Sequence, residues 1–552
     1  AALCVSVVLL TDFSWDGAGA SEGGVRGRSL ETTTGSGVAS GEDDEDTRLR
    51  RLLMEELAEE YYQDLDIPAW LKEDEPVDGQ GAEAAAAAVA VEESKEAAAA
   101  SPGPLPPYAI EDIIEATKLF SNMIAIMVYD PKKDEFLFYY PKNMQWVSGC
   151  VKIKTVFRKN FPFILRNTFP ERFQGPKSEE LVLAFASGDY MHFNGECVKE
   201  FPHTSPTCPG SHVPVLQFGS VFKSTEIISN AIPMPLPIES SIHCFKTWVH
   251  SNHKEVCTAL QYKESDLEWE NLIPQVVWRG TDFGFLNHIN SLYRPSIEDN
   301  IKGKVNTHKG FDKRAEGVRV MREAYDGIWP RWQGVVLTSE AELEAEEKGT
   351  LPWVNIKFSK PSVAIKKKYI QYDQFKEYGI SAMGESIYGD DLKNYKYQID
   401  LGGGGGTTWS GTMQKLAMPG LLFHHETPTK DYIHNLMKPW VHYVPVAPDL
   451  RDLKEKFDWA ESHPRAAKRI ADQGSELMRS LGTVEGFGEM FDEVFEEQLR
   501  RVIDSYRPVS MTHPETGWRH TLENYDRGAR PIMACSGKVV YGPSARCRDL
   551  EQ

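Results

Sequence analysis

The stretch YKYQIDL-GGGGG-TTWSG, which begins at Tyr395, restricts the fold of this chain more than any other segment. Aromatic and apolar residues alternate along YKYQIDL, which predicts a strand that ends at the glycine run, residues 402–406. Thr407 or Thr408 is suited to cap a helix after the run. A strand, a glycine loop and a helix amino terminus together favour an anion, because unpaired N–H groups and the helix dipole point at it. The segment predicts a site for a nucleotide diphosphate.

Two common glycine motifs do not fit this run. No Lys-Ser or Lys-Thr pair closes the loop, as a P-loop requires, and no acidic residue follows at the distance of a dinucleotide-binding unit. A glycine run is also often a flexible turn or linker, and that alternative stays open. The position between a strand and a capped helix favours phosphate binding.

The composition bounds the class of protein. The chain has 552 residues, 41% of them hydrophobic, and a formal net charge of −20. This apolar content is enough for more than one core. Nucleic acid is not an expected partner, because neutralising phosphates requires clustered Lys and Arg.

The first part of the chain differs in composition from the rest. The segment AALCVSVVLL is apolar but only half the length that spans a bilayer, which is about 20 residues, so residues 1–15 are predicted to be the remnant of a signal or membrane anchor. A frayed apolar terminus is the alternative. Residues 16–107 are rich in Gly, Ser, acidic residues, Ala and Pro, which predicts a disordered stem. Residues 48–65 have apolar residues at helical spacing and predict one amphipathic helix within it.

Most of the cysteines form close pairs along the sequence. The pairs are Cys197 with Cys208, Cys244 with Cys257, and Cys535 with Cys547. Such short loops are compatible with disulfides in an oxidising lumen, although the connectivity does not follow from the sequence and buried free thiols remain the alternative. The Cys-x₂-Cys pairs typical of structural zinc sites are absent from the sequence.

Strand and helix patterns alternate beyond residue 107, which predicts an α/β protein with a parallel sheet built twice. The first unit, residues 108–274, has a helix at 110–120 and strands at 123–129, 136–140 and 181–186. The second unit, residues 275–485, has strands at 276–278, 335–338, 354–358, 395–401, 421–424 and 442–446, followed by helices within 450–481. Residues 486–552 are expected to form a helix and a tail.

Several strings resemble one family of enzymes. WRGT at Trp278, KYQIDLGG with the following WS, KPWVHYVPV at Lys438 and ADQGSELMRSL at Ala471 resemble the glycosyltransferases that include fungal capsule-associated xylosyltransferases and animal protein O-glucosyltransferases. The resemblance runs from about residue 189 to residue 481 and is strongest after Lys396. It implies a GT-B-like fold, with two Rossmann-like domains facing a cleft and the carboxyl-terminal domain binding a nucleotide sugar.

The resemblance also implies a reaction. Glucose or xylose moves from a UDP-sugar to a hydroxyl of a protein or glycan acceptor, with inversion and without a metal ion or other cofactor. A catalytically silent glycan- or protein-binding member of the same fold is the alternative, because fold does not fix function. The expected location is the Golgi or the ER lumen, as a single-pass type II membrane protein. The donor sugar and the acceptor stay open.

Asp189 is the candidate catalytic base. In the family's glucosyltransferases the base lies in an Asp-Tyr pair after an apolar strand, and Asp189-Tyr190 follows LVLAFA in the same way. An inverting transfer needs such a base to take the proton from the acceptor hydroxyl. The alternative is an aspartate at a strand end that binds the backbone of a turn.

The departing diphosphate needs positive charge and N–H donors. Arg331 is the preferred cation, because it precedes the predicted strand at residues 335–338 at the family's spacing, and Arg279 is the second choice. Phe358 either packs on the nucleotide base or is an ordinary core aromatic. The other expected donor contacts are Gly280, Thr281, Gly404, Gly405, Gly406, Thr407, Thr408, Trp409 and Ser410.

One departure from the family concerns the helix after the glycine run. The animal glucosyltransferases place an arginine there, whereas this chain has Gly411 and Thr412, so Lys415 or Arg331 would supply the charge. His424 and His425 end the strand LLFHH, and one of them could contact the donor sugar. His442 is expected to be a packing residue.

Overall fold

The computed structural model describes residues 66–68, 71, 105–119, 125–141, 162, 165–166, 168–173, 178–185, 213–217, 219–221, 231–233, 267–282, 312–360, 378–387, 389–403, 410–427, 429–481, 489, 496–508 and 525–527. Several sequence predictions lie outside these residues: the anchor remnant at 1–15, the amphipathic helix at 48–65, the cysteine pairs, Asp189 and residues 404–409. Among the described residues, no helix combines the length and the apolar composition needed to cross a bilayer.

Mixed α/β structure fills the described ranges. The strands are β1 (Ala125–Asp130), β2 (Glu135–Pro141), β3 (Leu181–Phe185), β4 (Val215–Gln217), β5 (Gly219–Val221), β6 (Ala231–Pro233), β7 (Ile273–Thr281), β8 (Val354–Lys360), β9 (Tyr395–Asp400), β10 (Leu421–His425), β11 (Thr429–Asp431), β12 (Val444–Val446) and β13 (Tyr525–Arg527). The helices are α1 (Ile110–Leu119), α2 (Pro170–Phe173), α3 (Lys313–Glu323), α4 (Pro330–Lys348), α5 (Gly389–Leu392), α6 (Ser410–Leu416), α7 (Leu453–Ser462), α8 (Pro464–Leu481) and α9 (Glu497–Ser505). Short 3₁₀ turns lie at Trp269–Asn271, Tyr325–Gly327 and Tyr432–Asn435.

A five-stranded sheet in the order β8-β7-β9-β10-β12 is parallel throughout. Counted along the chain, its strands run 2-1-3-4-5, which is the order of flavodoxin-like doubly wound sheets. The chain leaves β7 for β8 on one side and then crosses to β9 on the other. The order therefore reverses between β7 and β9. The sequence prediction of a parallel α/β sheet is confirmed for this part of the chain.

Side chains of this sheet alternate between two faces, as the pleat requires. Tyr397 and Ile399 of β9 belong to the core beneath α4 and α7, and we call this side the α4 face. Leu422 of β10 belongs to the core beneath α6 and α8, the α6 face. Gln398 and Asp400 alternate with the first pair, so they point to the α6 face. The two faces therefore carry different polar groups at the same sheet edge.

A six-stranded sheet, in the order β13-β2-β1-β3-β4-β6, is mixed. β1 is antiparallel to β2 and β3, and β13 is antiparallel to β2, whereas β3, β4 and β6 are parallel. The β1–β2 hairpin turns at Asp134, whose φ of 55° lies in the left-handed region that aspartate tolerates. The prediction of a second parallel sheet is therefore correct for only one side of this sheet.

Helix α4 occupies residues that the sequence pattern assigned to a strand. The predicted strand at 335–338 is wrong, because these residues lie inside α4, which has Pro330 at its first position and Gly349 after its end at φ 64°. Residues 330–339 are all buried. A helix that is buried on every side lacks the 3.6-residue apolar period, so its apolar run reads like that of a buried strand.

Segments near the two ends of the described chain pack against elements that are distant in sequence. Leu71, from the predicted stem, is 2% exposed, and its carbonyl accepts a hydrogen bond from Trp459 Nε1 of α7 at 3.3 Å. Beyond α8, the chain returns to the six-stranded sheet. Tyr506, directly after α9, donates from its hydroxyl to Glu180 at 2.7 Å, and β13 pairs with β2. Parts of the predicted stem and of the predicted tail are therefore built into the fold.

Candidate functional site at the carboxyl edge of the parallel sheet

The glycine run begins at the point where the strand order reverses. β7 ends at Thr281 and β9 ends at Asp400, and Leu401, Gly402 and Gly403 follow directly, all buried. In open α/β sheets, ligands bind outside the carboxyl ends of the strands at this switch point. The position of the run therefore defines the candidate site.

Both polar groups of the Leu401–Gly402 peptide are hydrogen-bonded to side chains of other elements. The Leu401 carbonyl accepts from Arg331 Nη2 at 2.8 Å. The Gly402 N–H donates to His425 Nδ1 at 3.1 Å. Arg331 lies in the first turn of α4, and His425 is the last residue of β10. The first peptide of the glycine run is therefore held from two sides.

Arg331 bridges the two strands at the switch point. Its Nη1 donates to the carbonyl of Thr281, at the end of β7, at 2.6 Å, while Nη2 holds Leu401 beyond β9. The guanidinium carbon lies 5.0 Å from the centroid of the Trp278 ring, which adds a cation–π contact. The side chain is mostly buried. Arg331, expected from the sequence to precede a strand, instead lies in the first turn of α4 and binds backbone carbonyls at the carboxyl edge of the sheet.

His425 is neutral and uses both ring nitrogens. Burial lowers the pKa of His425 to about 4. Because Nδ1 accepts from Gly402, the hydrogen is assigned to Nε2, which donates to the Pro448 carbonyl at 2.8 Å. The imidazole therefore contacts backbone groups on both sides rather than presenting a nitrogen to a donor sugar.

On the α6 face of the same edge, Asp400 is fully buried and charged. Its carboxylate accepts hydrogen bonds from Thr412 Oγ1 at 2.5 Å, His424 Nδ1 at 2.8 Å and the His425 backbone N–H at 3.0 Å. Burial alone would raise the pKa of Asp400, but His424, Lys415 and these hydrogen bonds hold it well below its ordinary value. Asp400 therefore ties β9 to β10 and to the first turn of α6.

The polar contacts continue from His424 to the segment before β12. His424 Nε2 lies 3.2 Å from Nε2 of His434, and the two rings of His424 and Tyr443 pack edge to face at 4.8 Å. Burial raises the pKa of Glu426, although His424, His434 and Tyr443 oppose this. In the part of the chain that the structure describes, no group of three or more His, Cys, Asp or Glu side chains is arranged to hold a metal ion.

Three members of this polar cluster were not predicted from the sequence: Asp400, Glu426 and His434. A carboxylate that ends an otherwise apolar alternating strand was the available signal for Asp400. His434 carried no comparable signal, because it reaches the cluster only through the fold of the loop between β11 and β12.

The charge of Lys415, on α6, interacts with the buried charges of Asp400 and Arg331. Lys415 is 8% exposed, and its ammonium group donates to the Gly411 carbonyl at 3.3 Å. Burial lowers the pKa of Lys415, Arg331 lowers it further, and Asp400 raises it. Asp282, directly after β7, is a further buried carboxyl group. Both cations that the sequence analysis offered for the missing arginine are thus near the start of the glycine run.

Arg279 is occupied by backbone groups. Its Nε donates to the Glu385 carbonyl at 2.9 Å, and Nη1 donates to the carbonyls of Trp278 and Asn355, each at 2.8 Å. Burial lowers its pKa. Gly280, the next residue, faces the Trp278 ring, where a Cβ would lie 2.4 Å from a ring carbon. Arg279 therefore fastens the 378–387 segment to the sheet.

Two aromatic side chains considered in the sequence analysis are packing residues. Phe358 is fully buried, with its ring 4.8 Å from that of Trp332 and 6.0 Å from that of Trp278. His442 accepts a hydrogen bond at Nδ1 from the Lys438 N–H at 3.0 Å, and burial lowers its pKa to about 4. Within the described part of the chain, Phe358 packs in the core and His442 binds the backbone of its own turn.

The remaining predicted site residues are only partly placed. Ser410 is the first residue of α6. Asp189 and residues 404–409 lie outside the described residues, so their roles stay predictions. The structure thus brings together Thr281, Arg331 and the start of the glycine run.

Comparison with known proteins gives one family and several relatives. Residues 350–485 match the model of glycosyl transferase family 90. Protein O-glucosyltransferase 2 of Danio rerio is 36% identical over 165 residues, which are 27% of this chain and 29% of the relative. Protein O-glucosyltransferase 3 of Mus musculus is 36% identical over 93 residues, which are 16% of this chain and 18% of the relative. Protein O-glucosyltransferase 1 of Homo sapiens is 33% identical over 60 residues, 11% of this chain and 15% of the relative.

These matches span less than a third of the length of the curated relatives. The region matched by the family model nevertheless runs from just before β8 to just beyond α8 and includes the glycine run, Asp400 and His425. The family match therefore covers the glycine-run side of the candidate site, whereas Thr281 and Arg331 precede the matched residues. The chain is thus similar to glycosyl transferase family 90 over residues 350–485.

Proposed function

We propose that this chain is an inverting glycosyltransferase that moves glucose or xylose from a UDP-sugar to a hydroxyl group. The observation that carries the proposal is the start of the glycine run at the switch point of the parallel sheet, within the region that matches the family. A diphosphate is the ligand that suits a glycine loop followed by a helix amino terminus. Its sugar would then lie above the carboxyl ends of β9 and β10.

The proposed donor site takes its contacts from the loop and from nearby charge. Backbone N–H groups and hydroxyls of Gly404, Gly405, Gly406, Thr407, Thr408 and Ser410 would bind the diphosphate, with Trp409 as an apolar wall. Arg331 and Lys415 are buried side chains that would contribute positive potential, which a low dielectric strengthens. We assign the donor no metal ion, because the residues proposed to bind the diphosphate are backbone amides, hydroxyls and cations.

The proposed reaction is a single displacement. The acceptor oxygen attacks the anomeric carbon as the bond to UDP breaks, and Asp189 takes the acceptor proton. The configuration inverts because one displacement occurs, and UDP leaves with the bonding electrons. Asp189 lies in sequence shortly after β3, whose last residue is Phe185, so the base would belong to the six-stranded sheet. The two sheets would then face a common cleft in a GT-B-like arrangement.

A protein hydroxyl is the preferred acceptor class. The support is that the relatives are named protein O-glucosyltransferases, which also favours glucose over xylose. The proposed location is the secretory pathway, supported by the close cysteine pairs and the apolar first residues.

The test uses the full chain with a panel of UDP-sugars and measures UDP release and sugar transfer to a protein hydroxyl. UDP-glucose or UDP-xylose should support transfer in the presence of EDTA, and NMR of the product should show the inverted anomer. Asp189→Asn should retain UDP binding and lose transfer. Asp130→Asn is the matched control, since Asp130 ends β1 and binds the Lys132 N–H of a turn at 3.0 Å. Binding without transfer by the wild-type chain would instead favour a silent binding protein.

A further inference from the structure

The Leu401–Gly402 peptide is the point where two distant parts of the chain meet the glycine run. Arg331 reaches it from α4 on the carbonyl side, and His425 reaches it from β10 on the N–H side. Both side chains lie on the α4 face of the sheet edge and both are buried. We call this arrangement the peptide clamp.

A glycine run needs such support more than other loops do. Glycine loses more backbone freedom on ordering than any other residue, and fixing one residue costs roughly 1–2 kcal/mol. A ligand that must order its own loop binds more weakly than one that meets a loop already in place. Holding the first peptide fixes the direction in which the run leaves β9.

The chemistry of each group suits a fixed support. His425 donates from Nε2 to Pro448 and accepts at Nδ1 from Gly402, so the ring is locked in one tautomer by two backbone groups. Arg331 uses both terminal nitrogens on two strands, Thr281 at the end of β7 and Leu401 beyond β9. A lysine at this position would supply the charge but could not span both carbonyls with a planar fork.

We infer that Arg331 and His425 are positioning residues that preset the start of the glycine run, Gly402 and Gly403, for the donor diphosphate by holding the Leu401–Gly402 peptide between them. The role of the clamp in donor binding rests on the function proposed above. Its effect on the loop backbone does not, because the hydrogen bonds exist whatever ligand the site takes. The two parts can therefore be tested separately.

A buried histidine elsewhere in the chain provides the matched control. His442 also accepts a backbone N–H at Nδ1, that of Lys438 at 3.0 Å, and burial lowers its pKa to about 4 as well. Its hydrogen bond closes the turn before β12 rather than the glycine run. Replacing either histidine by phenylalanine keeps a buried ring and leaves a backbone N–H without its acceptor. The two variants should therefore lose similar stability while only one disturbs the run.

The first experiment measures hydrogen–deuterium exchange by mass spectrometry in the full chain. His425→Phe should speed exchange of peptides that contain Gly402 at least tenfold, and Arg331→Lys should speed it in the same direction. His442→Phe should leave these peptides unchanged while affecting those that contain Lys438. Equal exchange at Gly402 in His425→Phe and His442→Phe would overturn the clamp, whatever the chain binds.

The second experiment measures UDP binding by calorimetry and, with a UDP-sugar, KM and kcat. His425→Phe should weaken UDP binding at least tenfold and raise the donor KM more than it lowers kcat. His425→Gln, which can both donate and accept, should recover part of the affinity, and His442→Phe should change it less than twofold. If exchange changes at Gly402 but UDP affinity does not, the clamp holds the loop without presetting it for a diphosphate. If the wild-type chain binds no uridine nucleotide, the proposed function fails while the exchange result still decides the clamp.

Discussion

Asp400 and His424 face each other across the adjacent parallel strands β9 and β10, with 2.8 Å between Asp400 Oδ2 and His424 Nδ1. Neither side chain is more than slightly exposed. The contact lies at the strand ends that frame the candidate site. The contact therefore holds the ends of β9 and β10 together at the edge where the candidate site lies.

Asp400→Asn should destabilise the protein by about 3 kcal/mol or more, because removing one charge of a buried, hydrogen-bonded set leaves its partners uncompensated. Chemical denaturation at pH 7 measures this. Asp458→Asn is the control, since Asp458 forms only an exposed ion pair with Lys454 and should cost less than about 0.5 kcal/mol. Equal losses in the two variants would contradict the role assigned to Asp400.

The same carboxylate predicts a pH effect with a defined sign. The pKa of Asp400 is held well below its ordinary value in the folded protein. Its stabilising contribution is therefore complete above the unfolded pKa of about 3.9 and is lost as the pH falls towards the folded pKa. Below about pH 4, the wild type should lose stability more steeply than Asp400→Asn. Unfolding free energies from denaturant titrations at pH 2.5 to 5 measure the difference.

We expect a second pH effect, at less acidic pH, from the buried imidazoles of His425 and His442. Burial lowers the pKa of each to about 4, against about 6.5 in the unfolded chain. Between these values the unfolded state binds more protons, so stability rises with pH by about 1.4 kcal/mol per unit for each histidine. The contribution is fully present above about pH 6.5 and is lost as the pH falls to about 4.

The slope of unfolding free energy against pH between 4.5 and 6 separates the two histidines. His425→Gln and His442→Gln should each reduce the slope by about one proton, and the double variant by about two. Circular dichroism with urea at several pH values gives these slopes. If the double variant has the same slope of unfolding free energy against pH as the wild type, burial does not lower the pKa of either imidazole.

Local sequence patterns predicted β1 to β3, β7 to β10 and β12, but not the short strands β4 to β6, β11 and β13. β9 and β10 follow from alternation and from the run LLFHH, and the break between α7 and α8 follows from Ser462 and Pro464. α4 was mistaken for a strand because residues 330–339 are buried on every side and carry no helical period. α3 was not predicted, although Asp312 caps it by accepting from two backbone N–H groups.

The site was predictable in its place along the sequence but not in its contacts. The strand, glycine run and helix start predicted a phosphate-binding loop on local grounds, whereas its position at the switch point follows only from the strand order. The pairing of Arg331 and His425 across one peptide joins residues far apart in sequence, and it depends on strand order and on which face each side chain takes. A slip of one residue in β10 would exchange the positions of His424 and His425. Tertiary packing, rather than local pattern, sets those assignments.

Gly420 should not tolerate a side chain. A Cβ there would lie 2.4 Å from the Tyr395 carbonyl oxygen and 2.9 Å from that of Lys396, and these backbone atoms cannot move aside. Gly420→Ala should therefore cost about 1–3 kcal/mol or more by overpacking between β9 and β10. Gly327→Ala, where no atom lies within 4 Å of the added Cβ, should be neutral or stabilise by about 0.4–1 kcal/mol. Thermal unfolding measures both variants, and similar shifts in their melting temperatures would contradict the steric argument.

The buried position of Leu71 indicates that part of the acidic stem is needed for stability. Its side chain is buried against the α4-face core, and its carbonyl binds Trp459 Nε1. Leu71→Ala should cost about 2–3 kcal/mol, towards the lower end for buried leucines because the site lies at the edge of the core.

A pair of truncations separates this docking from the rest of the stem. Removing residues 1–60 should leave the melting temperature unchanged, because the docked Leu71 segment is retained. Removing residues 1–104 should lower the melting temperature and shift the tryptophan emission to longer wavelength, since Trp459 would lose its cover. If both truncated chains have the melting temperature and the tryptophan emission wavelength of the full chain, Leu71 contributes nothing to the stability of the fold.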